Sequence, residues 1–424
     1  MTAAILDDLR WRGLVANSTD AAALATALDA GPITFYCGFD PTAPSLHFGN
    51  LVQLVTMRRL QEAGHRPIAV VGGATGLVGD PSGKSAERVL NEVEVVEAWV
   101  ERIRAQIQHL LVFDGGNPAR IVNNLEWTGE LSAIALLRDI GKHFSVARML
   151  EKEAVAARIS DEGISFTEFG YQVLQAMDFL ELYRRYGCVL QTGGSDQWGN
   201  LTAGVDLIRR VERASVHALA TPLVTRSDGT KYGKSEAGAV FLDPEMTSPF
   251  AFYQYFLNQA DADVVALLKV FSFRSPEEIG ALALDVAERP EARVAQRALA
   301  EELTAMVHGP EEAARALAAS EAVFGSGELE AIDERTLAAA VADLSRATPP
   351  DDSTPLLELL VACGLARSRG EARRTVAEGG AYANNRRVSD PGWVPAATDF
   401  LHGRWLLLRR GKRHLAVVER RQAT

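Results

Sequence analysis

The sequence predicts an α/β protein, with a parallel sheet covered by helices on both faces, then an α-helical domain, then a small basic α+β module. Three observations carry this. Apolar runs of strand length alternate with helical stripes over the first half, the strand signal fades from about Pro249 to Phe324, and the charge changes sign near the C-terminus. The 424 residues suffice for two or three domains. With 47% hydrophobic and 23% charged residues, the composition excludes disordered and collagen-like chains.

The N-terminal MTAAILDDLRWRG mixes acids with apolar residues and lacks a basic start followed by a long apolar core. It is therefore not read as a secretory signal, and the expected location is the cytoplasm. ITFYCGF (33–39) reads as a buried strand, and Leu51, Leu54, Val55 and Met57 form a helical stripe after it. PIAVVGG from Pro67 is the next strand; helical patterns follow at 92–111 and 131–139, with a short strand at Ile121 between them. A long helix is predicted from Thr167 to Tyr186, then the strand CVLQTGG. Strands alternating with helices place ligands beyond the carboxyl ends of the strands. After Pro249, segments such as ADADVVALLKVF and EEIGALALDVA read as helices. The Pro/Asp/Ser cluster ending at Pro355 reads as a boundary. These signals divide the chain into 1–225, 226–325, a linker at 326–354, and a module at 355–424.

The net charge of −11 hides an asymmetry. From Val361 to Thr424 there are thirteen Lys and Arg against five Asp and Glu, a net +8, which leaves −19 on the first 360 residues. A basic module on an acidic body points to a polyanion partner. The longest apolar stretch, around Ile68–Val78, is short and broken by glycines, so no membrane partner is expected. Cys37, Cys188 and Cys363 are too scattered for a disulfide framework or a zinc site, and no cluster of acidic metal ligands stands out.

Three segments carry chemistry. Tyr36 to Asn50 runs from a strand end through a proline-rich turn into a helix start, where backbone N–H groups attract phosphate, His47 can hydrogen-bond it, and Gly49 leaves room for a flat base. Gly72 to Arg88 follows another strand and supplies Asp80 for an ammonium group and the cations Lys84 and Arg88 for phosphates. It is not a Walker loop, because Val78 stands where that spacing requires glycine. The third, Lys231-Tyr-Gly-Lys-Ser235, follows the turn Ser227-Asp-Gly-Thr. Each alone is an ordinary turn, cap or solvated lysine pair. On the predicted 167–186 helix, Tyr171, Gln175 and Asp178 are spaced i, i+4, i+7 and share a face. Asp178 lies in an apolar setting where an unpaired carboxylate is costly, so it calls for a donor such as a phenolic hydroxyl.

The His-Phe-Gly-Asn helix start and the Lys-Tyr-Gly-Lys-Ser loop resemble the two signatures of class I aminoacyl-tRNA synthetases. YCGFDPTAPSLHFGN, VGGATGLVGDPSGKSAER, LRDIGKHFSV, GISFTEFGYQVLQAMDFLEL, QTGGSDQWGN and DGTKYGKS together look like the bacterial tyrosyl-tRNA synthetase family. GLARSRGEARRTVAEGGAYANNRRV is similar to the small RNA-binding fold named after ribosomal protein S-four. The resemblance implies a Rossmann-type catalytic domain and a ligase that joins tyrosine to AMP, then to its tRNA. It implies that Tyr36 and Asp178 meet the substrate hydroxyl, that Tyr171, Gln175 and Asp80 hold the α-ammonium group, and that Gln197 lies near the reacting carboxyl. It further assigns Asp40, Gly49, Asn50, Asp196 and Ser235 to ATP, Thr42, His47, Lys231 and Lys234 to charge stabilisation, and Lys84 and Arg88 to pyrophosphate. Asn50 departs from the family, which most often has histidine there. Arg367, Arg369, Arg373, Arg374, Arg386 and Arg387 would bind tRNA. Magnesium would accompany ATP, with no tightly bound cofactor and no DNA partner, and the chain would be a homodimer. Two other readings stay open: a tryptophan-specific relative, which would not be expected to combine Tyr36, Asp178 and the basic tail, and a synthetase retired from catalysis, which should have lost charged site residues.

Overall fold

The structure is a computed structural model that describes residues 3–82, 91–152, 155, 163–230, 232–235, 238–325, 327–349, 353–411 and 414–420. Lys84, Arg88 and Lys231 lie outside the described residues, as do the side chains of Lys234 and Ser235. The chain divides into two compact units: residues 1–247 with 259–299, and residues 248–258 with 300–424. The division falls within the helical stretch, not at 225, 325 or 354.

The first unit is built on six strands: β1 (Asn17–Ser18), β2 (Thr34–Phe39), β3 (Arg66–Val71), β4 (Arg120–Asn123), β5 (Cys188–Gly194) and β6 (His217–Thr221), in the order β1-β6-β5-β2-β3-β4. All neighbours are parallel except β1, which runs antiparallel to β6. The chain winds outward from β2 through β3 to β4, then returns to place β5 on the other side of β2. Loops leaving β2 and β5 therefore diverge and open a crevice at the carboxyl ends of these strands, as in other doubly wound sheets. Tyr36, Ile68, Val70 and Val122 on the strands pack with Met177, Phe179 and Leu182 of the Phe166–Tyr186 helix. That helix starts where Ser165 Oγ accepts the Glu168 N–H. The predicted 131–139 helix is instead broken, with one turn at Ala133–Ala135, a π-helical stretch at Leu136–Ile140 and a 3-10 turn at Gly141–His143.

Helices follow at Pro249–Leu257, Asp261–Phe271, Pro276–Glu288, Val294–His308 and Pro310–Phe324, as the periodicity predicts. Strands β7 (Lys234–Ser235) and β8 (Gly238–Ala239) form a small antiparallel pair in the first unit.

In the second unit, β9 (Ser345–Ala347), β10 (Ala381–Ala383), β11 (Arg386–Arg387), β12 (Trp405–Arg410) and β13 (His414–Glu419) form a sheet in the order β11-β10-β12-β13-β9. Here the expected linker is corrected. Ser345–Ala347 pair in parallel with β13, and Glu334–Ala340 is a helix, so 326–354 carries structure. The reason is the two-residue period of β12. Leu406 and Leu408 face a core with Leu356, Leu359, Leu360 and Val376, whereas Trp405 and Leu407 face a second core with Phe250, Val323 and Leu337. A strand apolar on both faces needs cover on both, and helices outside 355–424 supply the second layer.

Trp405 is 2% exposed in that second core. Trp405→Ala is expected to destabilise the second unit by about 3–5 kcal/mol, read by urea denaturation followed by circular dichroism. A loss below about 1 kcal/mol would show that this face contributes little.

Candidate active site

The crevice at the ends of β2 and β5 holds a cavity of about 550 Å³. Tyr36, Asp40, Thr42, His47, Gly49, Asn50, Asp80, Tyr171, Gln175, Asp178, Asp196 and Gln197, from four separate stretches of sequence, all line it. The site residues with described side chains are thus brought together by the sheet order. Lys84, Arg88 and Lys231 cannot be placed, and Lys234 and Ser235 are described only as the backbone of β7.

At the deep end, Asp178 is 4% exposed, with Oδ2 accepting from Asn124 Nδ2 at 3.0 Å and Oδ1 from Trp127 Nε1 at 2.7 Å. Burial pushes its carboxyl up to about 7, against the two hydrogen bonds, which favour the ionised form; the charge of Asp40 adds to the rise. The Tyr36 hydroxyl is buried and has no hydrogen-bond partner among the described residues. Burial first, then the Asp178 charge, raise its pKa, so Tyr36 stays a neutral phenol with a hydroxyl to offer. Its ring leans on Phe179 with centroids 5.3 Å apart. An acceptor and a free hydroxyl in an apolar pocket suit one polar atom at the tip of a flat ligand.

Asn124 and Trp127, which hold Asp178, were missed by the sequence reading. They follow β4, and the rule that ligands gather at strand ends was the available signal. Asn124 is fully buried and satisfied: Nδ2 also donates to Thr75 Oγ1 at 2.9 Å, and Oδ1 accepts from the Ala74 N–H at 2.8 Å. Thr75 in turn donates to Asp40 Oδ1 at 2.6 Å, and the Tyr171 hydroxyl donates to Asp40 Oδ2 at 2.5 Å. Gly72 is required beside this chain of bonds, since a Cβ there would lie 2.0 Å from Asp40 Oδ1.

Higher in the cavity, Gln175 Oε1 is buried without a partner among the described residues. The Tyr171 oxygen, its proton engaged by Asp40, keeps lone pairs to offer. Asp80 accepts from the Ser82 N–H at 2.9 Å and from Gln197 Nε2 at 2.6 Å, and Gln197 Oε1 accepts from Asn200 Nδ2 at 3.0 Å. Gln197 is thereby fixed at the edge of β5 beside an acid. This acceptor-rich group fits a cation such as an ammonium.

At the mouth, His47 is the N-cap of the Phe48–Glu62 helix: Nδ1 accepts from the Gly49 N–H at 3.0 Å, which leaves the ring hydrogen on Nε2. Asn50 Oδ1 accepts from the His47 N–H at 3.0 Å and closes a capping box. The sequence reading gave Asn50 only a ligand-facing amide; its carbonyl instead caps the helix, and its NH2 group remains. Gly49 has no room for a side chain, because a Cβ would sit 2.8 Å from His47 Cε1. Backbone N–H groups of this helix start, with Thr42 exposed beside it, suit an anion.

The backbone ties the mouth to the lysine loop. The Phe48 N–H donates to Val240 O, the Val240 N–H to Gly233 O and the Leu242 N–H to Leu46 O, each at 2.9 Å. Tyr232 packs edge-on against Phe48 with centroids 6.2 Å apart.

The six C-terminal arginines are all exposed. Arg369 pairs with Glu358 at 2.6 Å and Arg386 with Glu330 at 2.8 Å. Among the described residues no carboxylate pairs with Arg373 or Arg374.

Comparison with known proteins follows this geometry. A family model described as tRNA synthetases class I (W and Y) matches residues 28–325, and one described as tyrosine–tRNA ligase SYY-like C-terminal domain matches 336–418. The tyrosine–tRNA ligase of Streptomyces avermitilis is 61% identical over 417 residues, covering 98% of each chain, and that of Acidothermus cellulolyticus is 59% identical over 424 residues, covering 98% of this chain and 99% of its own. A C-terminally truncated mitochondrial tyrosyl-tRNA synthetase of Aspergillus nidulans superposes with a TM-score of 0.68 at 29% identity, covering 74% of this chain and 92% of that one. With its catalytic and C-terminal segments both matched and its length covered almost end to end, the chain belongs to the tyrosine–tRNA ligases of the class I aminoacyl-tRNA synthetase family.

Proposed function

We propose that this chain activates tyrosine with ATP, giving tyrosyl-adenylate and pyrophosphate, and then transfers the tyrosyl group to the 3′ end of its tRNA. The observation that carries the reading is the deep end of the cavity, lined by both the buried Asp178 carboxylate and the Tyr36 hydroxyl, which has no hydrogen-bond partner among the described residues. A tyrosine hydroxyl would donate to Asp178 and accept from Tyr36. Phenylalanine would leave the Tyr36 hydroxyl unmet and offer Asp178 no donor beyond Asn124 and Trp127, and an unmade buried hydrogen bond costs more than a made one contributes. Gln175, Tyr171 and Asp80 then receive the α-ammonium group.

The substrate carboxylate is itself the nucleophile, attacking the α-phosphate as pyrophosphate leaves, so the first step needs no general base. Catalysis comes from alignment and from stabilising charge on the phosphates. His47 Nε2–H, Thr42 and the helix N-terminus serve that charge, together with Lys231 and Lys234; Lys84 and Arg88 reach the pyrophosphate. Asp40, Gly49, Asn50, Asp196 and Ser235 bind the remainder of ATP, Gln197 lies beside the reacting carboxyl, and magnesium arrives with ATP.

The module at 355–424, a fold of the ribosomal-protein S-four type, anchors tRNA through Arg367, Arg369, Arg373, Arg374, Arg386 and Arg387. The chain works as a cytoplasmic homodimer. Exposed apolar side chains in the 131–166 stretch support pairing: Ile134 is 71% exposed and Phe166 81%. No described helix is long and apolar enough to cross a membrane.

Tyrosine-dependent exchange of pyrophosphate into ATP tests the activation step; its absence with tyrosine, ATP and magnesium present would overturn the reading. Asp178→Asn is expected to reduce tyrosine use roughly 10- to 100-fold while changing phenylalanine use little. The same carboxyl sets a pH dependence. Its folded pKa of about 7 lies above its ordinary 3.8, so the native state holds the extra proton, and stability contributed by this group declines as pH rises between these values. Tyrosine, as a donor, favours the ionised form, so its affinity should strengthen as pH rises through about 7 in wild type and stay flat there in Asp178→Asn. Titration of tyrosine binding between pH 5.5 and 8.5 (roughly the window set by that pKa) decides it, and a flat wild-type profile would remove Asp178 from the role. For the module, Arg373→Ala/Arg374→Ala should weaken tRNA binding, lower the salt slope by about 2 and leave exchange intact. Unchanged salt dependence would place the tRNA anchor elsewhere.

A further inference from the structure

The turn that precedes the lysine loop is held to the body of the first unit by a buried acid to which the functional reading assigned no role. Arg226 to Thr230 close on themselves: the Arg226 N–H donates to Thr230 O at 2.7 Å, the Gly229 N–H to Arg226 O at 2.9 Å, and Asp228 Oδ1 accepts from both the Thr230 N–H at 2.9 Å and its hydroxyl at 2.6 Å. The Tyr232 N–H reaches back to Val224 O at 3.0 Å. The turn is thus a small rigid body. The Ser227 N–H points outward from it and donates to Asp263 Oδ1 at 2.8 Å.

Asp263 sits in the first turn of the Asp261–Phe271 helix and is 8% exposed. An acid in a first helical turn is commonly there for the helix dipole. That explains Asp261, which is exposed, but not Asp263, whose burial is costly without a donor. The far end of the same helix is tied down in turn. The Arg12 guanidinium donates to Lys269 O at 3.2 Å, Ser272 O at 2.9 Å and Arg274 O at 3.0 Å, and Arg59 also donates to Ser272 O. Two cations at a helix C-terminus are favourably placed. Arg59 belongs to the Phe48–Glu62 helix, whose other end is the His47 cap, and Phe271 packs on Phe48 with centroids 4.5 Å apart. One helix therefore carries the register between the His47 cradle and the turn from which residue 231 follows.

We propose that Asp263 is a positioning residue for the lysine loop, acting through the Ser227 N–H to set how residues 232–235 lie against the start of the Phe48–Glu62 helix. The proposal rests on the reading of that loop as part of the ATP site. Misplacement by about 1 Å is enough to cost up to 100-fold in rate, while tyrosine, bound at the other end of the cavity, should not feel it.

The test uses the full chain, with Asp263→Ala and Asp263→Asn read for the turnover of tyrosine-dependent pyrophosphate exchange and, separately, for tyrosine binding without ATP. Asp263→Ala should lower turnover at least about tenfold with tyrosine affinity unchanged, and Asp263→Asn, which keeps an acceptor oxygen for Ser227, should restore most of the rate. If Asp263→Ala does not fold, Ser227→Pro, which removes the donor and leaves the helix intact, carries the same expectation. Wild-type turnover in the alanine variant, an asparagine variant as slow as alanine, or a parallel loss of tyrosine affinity would each overturn the proposal. Absence of exchange in the wild-type protein would instead overturn the functional reading beneath it.

Discussion

A carboxylate at the bottom of an apolar pocket is the constraint from which the rest of the site follows. Asp178 is stable there only because Asn124 and Trp127 each occupy one of its oxygens. Those donors come from the loop after β4, so β4 must lie on the sheet beside β3, and the 166–186 helix packs in the same core as side chains of both strands. Asn124 then reaches Thr75, Thr75 reaches Asp40, and Tyr171 closes on Asp40 from the same helix as Asp178. This connected path runs from the end of the cavity that would select the amino acid to the end that would hold the nucleotide. Buried networks of this kind are rigid only when every member is satisfied.

Within that satisfied frame, the groups left unmet are few and placed where a ligand would meet them. The Tyr36 hydroxyl and Gln175 Oε1 are buried without partners among the described residues. In a core such atoms would be defects, and each destabilises the empty protein by about 1–3 kcal/mol. A ligand offering one phenol and one ammonium group offsets both. Two cavity-lining atoms that break the rule of satisfied polar atoms, beside a network that obeys it, mark where a ligand would be met.

Much of this was legible in the sequence. The alternation of strands and helices predicted the parallel sheet, and the i, i+4, i+7 spacing placed Tyr171, Gln175 and Asp178 on one face. What was not legible has physical causes. Asn124 and Trp127 act on Asp178 across the fold, and no local spacing relates them to it. Asn50 is assigned to ATP by the resemblance alone, and its capping carbonyl shows only in the backbone geometry at His47. β6, HALAT, is too short to stand out beside the helix before it. Ser345–Ala347 lies in polar, proline-flanked sequence and becomes a strand only because β13 offers it an edge.

The C-terminal module shows the same limit more sharply. Trp405-Leu-Leu-Leu408 is a continuous apolar run, and such a run belongs to a strand buried on both faces; its second cover comes from helices that composition assigned to another domain. Formal charge overstates what the module can offer. Arg369 and Arg386 are paired with Glu358 and Glu330, Arg410 with Glu371, and Arg404 with Glu419. Arg387 lies against Gly379, where a Cβ would fall 1.5 Å from its guanidinium, so its position depends on that glycine. Of the +8 counted from Val361 onward, the cations best placed to meet phosphate without first breaking an ion pair include Arg373 and Arg374, adjacent on the exposed side of one short helix. Exposed ion pairs are worth little and exchange readily, so on the proposed reading the paired arginines would follow once phosphate is near, and the pair on the 369–377 helix would set where the polyanion first docks.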